Sequence, residues 1–147
     1  GAPNRMYVTK WIDKFGLNDR IHFTGKIPGE KLIELYASHE LAVSPSLYEG
    51  FGFPAAEAMA CELPLIASDG GALPEVVGNH METGYVVKSR DPYSLAEAID
   101  YLLLNPEERK KMGKAARKRI TEVFTWENAA REMEKVYREV IDAYSGF

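Results

Sequence analysis

Two carboxylates, Glu49 and Glu57, stand eight positions apart and bracket the stretch Gly50-Phe51-Gly52-Phe53-Pro54-Ala55-Ala56. A short apolar run, Leu41 to Val43, precedes the stretch and reads as the tip of a buried strand. Pro54 suits a first helical position, where its missing N–H would have no partner in any case. Gly50 and Gly52 allow backbone dihedrals, and a closeness to ligand, that a Cβ forbids. A helix starting there presents unpaired N–H groups and the positive end of its dipole, a site suited to a phosphate or another anion. Glu57 lies among Ala55, Ala56, Ala58 and Met59, so the helix is expected to be buried on nearly every side. A carboxylate in such a helix needs a partner. For Glu57 alone, a local backbone cap or an internal ion pair is the default. The second carboxylate across a Gly-rich loop favours a ligand instead.

The elements around this loop follow from spacing. Helices are expected over 4–15, 30–39, 54–61, 73–77 and 107–124, with two more opening at Asp91-Pro92 and at Trp126. Strands are expected over 21–24, 41–44, 64–68 and 84–87. Alternation at this spacing implies an α/β fold, a Rossmann-like parallel sheet covered by helices on both faces. The chain reads as one domain over 1–147, with the helices of 91–147 closing it from outside. In the last helix Ala130, Met133, Val136, Tyr137, Val140 and Ile141 are expected to face inward. The run Arg109, Lys110, Lys111, Lys114, Arg117, Lys118 and Arg119 reads as a solvated outer face, with a peripheral membrane contact as the alternative.

Composition narrows the function. A net charge of -4 gives no general reason to bind nucleic acid. Cys61 is the only cysteine, and His22, His39 and His80 are scattered, so no metal-ligand spacing is present in the sequence. No apolar run approaches the length of a membrane span, which makes a cytoplasmic setting the default.

The stretch Glu49-Gly50-Phe51-Gly52-Phe53-Pro54-Ala55-Ala56-Glu57-Ala58-Met59-Ala60 resembles the Glu-x7-Glu signature of the family 4 (group 1) glycosyltransferases. These are retaining, nucleotide-sugar-dependent enzymes of GT-B fold. Phe23-Thr24-Gly25, Ser44-Pro45-Ser46, Pro64-Leu65-Ile66-Ala67, Gly70-Gly71-Ala72-Leu73-Pro74-Glu75-Val76-Val77, Gly84 with Val86-Val87, and Phe124-Thr125-Trp126-Glu127 agree with the family in the same order. The resemblance implies the donor-binding, C-terminal half of such an enzyme. Glu49 would act at the donor-sugar hydroxyls as the catalytic carboxylate, and Glu57 would hold the ribose. Gly50, Phe51, Gly52 and Phe53 would bind donor, Phe51 and Gly52 through backbone N–H groups. Lys26 and Ile27 would line the base pocket. The donor would be a nucleotide-diphosphate hexose, with no metal or other cofactor, and the acceptor would be held by a separate N-terminal domain.

Departures from the family shape the remaining expectations. The Arg and Lys that grip the diphosphate have no counterpart before residue 15, so the sequence reads as truncated at its N-terminus and inactive alone. Of the strand order 3-2-1-4-5-6 the middle two would be missing. The 21–24 strand should then move beside 41–44, or the fragment should self-associate through its exposed strand edges. Glu62 stands where glycine is common, so the turn there is expected to differ. A noncatalytic nucleotide-binding or scaffold domain of the same fold is the alternative function. A glycoside hydrolase would leave the anion site without a ligand, and a dinucleotide-binding domain lacks its G-x-G-x-x-G turn.

Overall fold

The computed structural model describes residues 2–144, leaving Gly1 and residues 145–147 outside it. The chain falls into two compact units, Gly1–Leu32 and Ile33–Phe147. The first holds α1 (Ala2–Phe15) and an extended loop running to α2 (Gly29–Ala37), inside which the second unit begins. On α1, Tyr7, Trp11 and Phe15 form a largely exposed aromatic row, Tyr7 edge-on to Trp11 and Trp11 stacked on Phe15, while Ile12 is buried.

Residues 21–24 form no strand. Ile21 and Phe23 alternate with polar neighbours as a strand would, yet 38% and 47% of their surface is exposed. A strand exists only where a neighbour supplies the ladder, and β propensity alone does not create one. The expected strand at 21–24 is therefore corrected to loop.

The second unit is built on β1 (Ala42–Ser44), β2 (Leu65–Ser68) and β3 (Tyr85–Val87), parallel and in the spatial order β1-β2-β3. The register sets Val43 against Ile66 and Ala67 against Val86. β2 is buried at every position, the continuous apolar run of a strand covered on both faces. Its side chains alternate between two cores. Leu65 and Ala67 pack with Met59 of α3 (Phe53–Ala60), with Leu73, Val76 and Val77 of α4 (Leu73–Val77), and with Ala116 and Ile120 of α6 (Pro106–Val123). Ile66 packs with Val87, with Ala98 and Leu102 of α5 (Pro92–Leu104), and with Met112.

Caps follow the sequence closely. The Asp91 carboxylate accepts from the N–H groups of Tyr93 and Ser94 at the start of α5, and Thr125 Oγ1 from that of Asn128 at the start of α7 (Trp126–Tyr144). α3 ends in a Schellman turn, with Glu62 N–H bonded to Met59 O and Leu63 N–H to Ala58 O. Glu62 occupies the left-handed position at φ 61°, where glycine is favoured, so the backbone turn is kept and a side chain bears its strain.

Two expectations fail on the outer helices. α7 buries none of its residues; Met133, Val136, Tyr137 and Val140 are all at least half exposed. The basic run on α6 is only partly a solvated face. Arg109 donates to Leu102 O and Leu103 O at the end of α5, Arg117 to Ala60 O at the end of α3, and Arg119 to Glu75 O and Val76 O near the end of α4. Each guanidinium satisfies carbonyls that a helix terminus leaves unpaired. Among the described residues, no helix is long and apolar enough to cross a membrane.

Candidate functional site

β1 runs into the loop Pro45–Gly52, which ends at the start of α3. Gly52 is the N-cap of that helix in the left-handed conformation, φ 94°. A Cβ there would lie 2.9 Å from Leu73 Cδ2 and 3.3 Å from Glu49 Cγ, so the position has neither the dihedral nor the space for a side chain. Gly50 meets nothing within 4 Å and has no positive φ; only the second glycine is sterically required. The helix begins at Phe53, placing Pro54 one position further in than the sequence suggests. The Phe51 ring packs against other rings, 4.9 Å from that of Phe53 and 5.6 Å from that of Phe124 between centroids. These rings, with Ile120 and Trp126, line an apolar groove of about 450 Å³ between the start of α3 and the junction of α6 and α7.

A second loop braces the first. After β2 the chain passes through Asp69-Gly70-Gly71-Ala72, and the Ala72 N–H donates to Glu49 O at 2.9 Å. A Cβ on Gly70 or Gly71 would fall well inside contact distance of the backbone at Ser46 or Glu49. The Ser68 hydroxyl donates to Ser46 O, and Asp69 Oδ1 accepts from Ser89 N–H at 2.7 Å and from Ser89 Oγ at 2.5 Å. Those bonds, the Ser89 hydroxyl above all, hold the Asp69 carboxyl below the ordinary aspartate range. The turns after β1, β2 and β3 are thereby joined at the C-terminal edge of the sheet, where open parallel sheets bind ligands.

Glu49 is half-buried at the junction of the two loops. Glu57 is not buried, contrary to expectation. Its face of α3 is shared with Phe53 and Pro54, both exposed, while Ala55, Ala56, Ala58 and Met59 face the core. Its partner is Tyr36 of α2, whose hydroxyl donates to Glu57 Oε2 at 3.3 Å. Burial first, and the Glu57 charge second, push the Tyr36 hydroxyl above the ordinary tyrosine range. Lys26, exposed, and Ile27, half-buried, lie in the loop of the first unit, which follows no strand. Gly50, Phe51, Gly52, Phe53, Glu49 and Glu57 are thus gathered in one segment of the second unit. The sequence places the loop 69–72 on the same rim as 44–52, but the roles of Tyr36, Ser68, Asp69 and Ser89 went unnoticed there. Tyr36 reads there as one more apolar position of a helix, and only the pair Gly70-Gly71 after a strand hinted at the brace.

A carboxylate pair around a helix start at strand ends is an arrangement for a ligand carrying both hydroxyls and an anionic group. The model of the glycosyl transferases group 1 matches residues 1–119, and the chain belongs to that family. It is 42% identical over 132 residues to an MMP alpha-(1->4)-mannosyltransferase of Mycolicibacterium hassiacum, covering 90% of this chain and 32% of the relative. Sucrose-phosphate synthase from Thermosynechococcus elongatus superposes with a TM-score of 0.84 at 38% identity, over 95% of this chain and 35% of the other. The Anabaena protein HepE in complex with UDP-glucose superposes with a TM-score of 0.80 at 22% identity, over 94% and 38%, which shows a shared fold. The fold is that of the C-terminal half of GT-B glycosyltransferases. The chain spans about a third of the length of these relatives.

Proposed function

We propose that the chain is the donor-binding part of a glycosyltransferase that moves a hexose from a nucleotide-diphosphate sugar to an acceptor with retention of configuration. The observation that carries the reading is the joining of Gly52, the α3 start and the two glutamates at the C-terminal edge of β1. Free N–H groups at a helix start suit the diphosphate, and a carboxylate suits the vicinal hydroxyls of a ribose. Glu57, exposed on α3, takes the ribose; Glu49, at the loop junction, takes the sugar hydroxyls and is the catalytic carboxylate. Phe51 and Gly52 bind through backbone N–H groups, with Gly50 and Phe53 beside them, which agrees with the Phe51 ring being engaged by the rings of Phe53 and Phe124. The mannosyltransferase and UDP-glucose complex among the similar proteins support a hexosyl nucleotide.

In such a reaction the sugar–phosphate bond breaks, positive charge grows on the sugar, and negative charge grows on the departing diphosphate. Helix dipole and backbone amides already aimed at that charge stabilise it as it forms. A diphosphate leaves without a general acid, so the glutamates need not divide acid and nucleophile roles as in a glycosidase. The reading calls for no cofactor besides the donor.

Titrating uridine, guanosine and adenosine diphosphate sugars into the protein tests this directly. One base is expected to bind, and Glu57→Ala is expected to weaken it by about 1.5–3 kcal/mol, roughly one to two decades, with the fold intact. A folded variant with unchanged affinity removes Glu57 from the site. A chain that binds none of the three is a scaffold.

A further inference from the structure

Glu57 stands on an exposed face of α3, where an isolated carboxylate would populate several rotamers. Tyr36 limits that freedom. Its ring is half-buried on α2, and its hydroxyl lies 3.3 Å from Glu57 Oε2 and 3.4 Å from the Pro54 carbonyl oxygen. Both are acceptors, so one phenolic proton is shared between the side chain and the first turn of the same helix. The carboxylate is held against a fixed point of its own backbone, with Oε1 free of this bond.

We infer that Tyr36 is a positioning residue: its hydroxyl orients the Glu57 carboxylate toward the two ribose hydroxyls and so sets a preference for ribonucleotides over deoxyribonucleotides. This rests on the reading of Glu57 as the ribose ligand. A carboxylate gripping a vicinal diol must offer two acceptor directions at once. Bonding one oxygen to a rigid phenol spends no flexible side chain on that alignment, because a half-buried tyrosine has few rotamers to lose. Burial and the neighbouring charge keep the hydroxyl protonated, so the donor persists across the neutral range.

Tyr36→Phe keeps the ring and its packing while removing the hydroxyl. The tightest binder among UDP, GDP and ADP, and its 2′-deoxy form, are titrated into wild type and variant by NMR, with thermal unfolding as a check on the fold. The ribonucleotide is expected to weaken about three- to tenfold in the variant, and the deoxynucleotide by less than about twofold, so that the wild-type preference collapses. Equal weakening of both ligands assigns Tyr36 to packing and overturns the inference, as does no weakening of either. A wild-type chain that binds neither ligand overturns the nucleotide reading, and this inference falls with it. A second measurement is independent of any ligand. In Glu57→Gln the Tyr36 hydroxyl, followed by its ring carbon resonance, is expected to titrate at lower pH than in wild type. An unchanged titration means that the two groups do not meet, and sinks the inference by itself.

Discussion

α6 and α7 are neighbours in sequence and nearly equal in length, and they relate to the sheet in opposite ways. α6 is the more polar, with a basic residue at seven of the positions from 109 to 119, yet Met112, Gly113, Ala116 and Ile120 are buried. α7 has the cleaner apolar stripe and buries nothing. The difference lies in what fastens each helix. On α6 two of the four buried residues, Gly113 and Ala116, are small, which lets the helix approach closely there; a Cβ on Gly113 would fall well inside contact distance of Glu62 O. Three arginines then reach past the stripe to the ends of three other helices. An amphipathic pattern records that a face is built for burial, and says nothing of the surface that covers it. A polar helix can be the better anchored one when its charges end on backbone carbonyls.

The sharpest way to break this comparison is to truncate one apolar side chain on each helix. Ile120→Ala removes a buried residue of the core cluster that also holds Ala56 and Met59 of α3, and should cost about 2–4 kcal/mol. Met133→Ala, half exposed on α7, should change stability by less than about 0.5 kcal/mol. Urea unfolding of both reads the difference. A loss on α7 as large as that on α6 would mean that its stripe is covered in solution.

A smaller effect is expected from the charges. Arg119 Nε donates to Val76 O at 3.0 Å, Nη2 to Glu75 O at 2.6 Å, and the guanidinium lies 5.5 Å from the centroid of the Phe124 ring. Arg119→Ala should cost about 1–2 kcal/mol, and Arg119→Lys should recover only part of it, because a lysine cannot present the same planar fork. Arg138 pairs with Glu134 on α7 with both side chains mostly exposed, and Arg138→Ala should cost at most about 0.5 kcal/mol. Equal losses at the two positions would remove the distinction between a helix-end contact and a surface pair.

The same distinction explains what the sequence revealed. Elements that carry their own local signal were legible: the Asp91 and Thr125 caps, the buried run of β2, and the glycine-bearing turn between Glu49 and Glu57. Features that depend on a neighbour were not. Residues 21–24 have a strand's alternation and no ladder. Glu57 has apolar residues on either side along the chain, but its neighbours on the helix surface are three and four positions away, and there Phe53 and Pro54 are exposed. The brace of Ser68, Asp69 and Ser89 joins three turns that no periodicity connects.

That brace gives the smallest effect, and one that extends the comparison to pH. Asp69 is held below the ordinary aspartate range in the folded chain, chiefly by the Ser89 hydroxyl and then the Ser89 N–H. A carboxyl whose folded value is depressed favours the fold above its unfolded value, and the contribution is lost as pH falls through the depressed value. Asp69→Asn cannot titrate, although its side-chain oxygen can still accept from Ser89. At neutral pH the variant should therefore be slightly less stable than wild type. As pH drops through the ordinary aspartate range toward the depressed value, the two unfolding curves should converge, because wild type alone gives up its charge. Asp69 is solvent-exposed, so the gap should be small and best read by comparing unfolding midpoints across a pH series. A gap that stays constant through the acid range would show that the Asp69 charge contributes nothing to joining the loops, leaving the brace to its neutral hydrogen bonds and to Gly70 and Gly71.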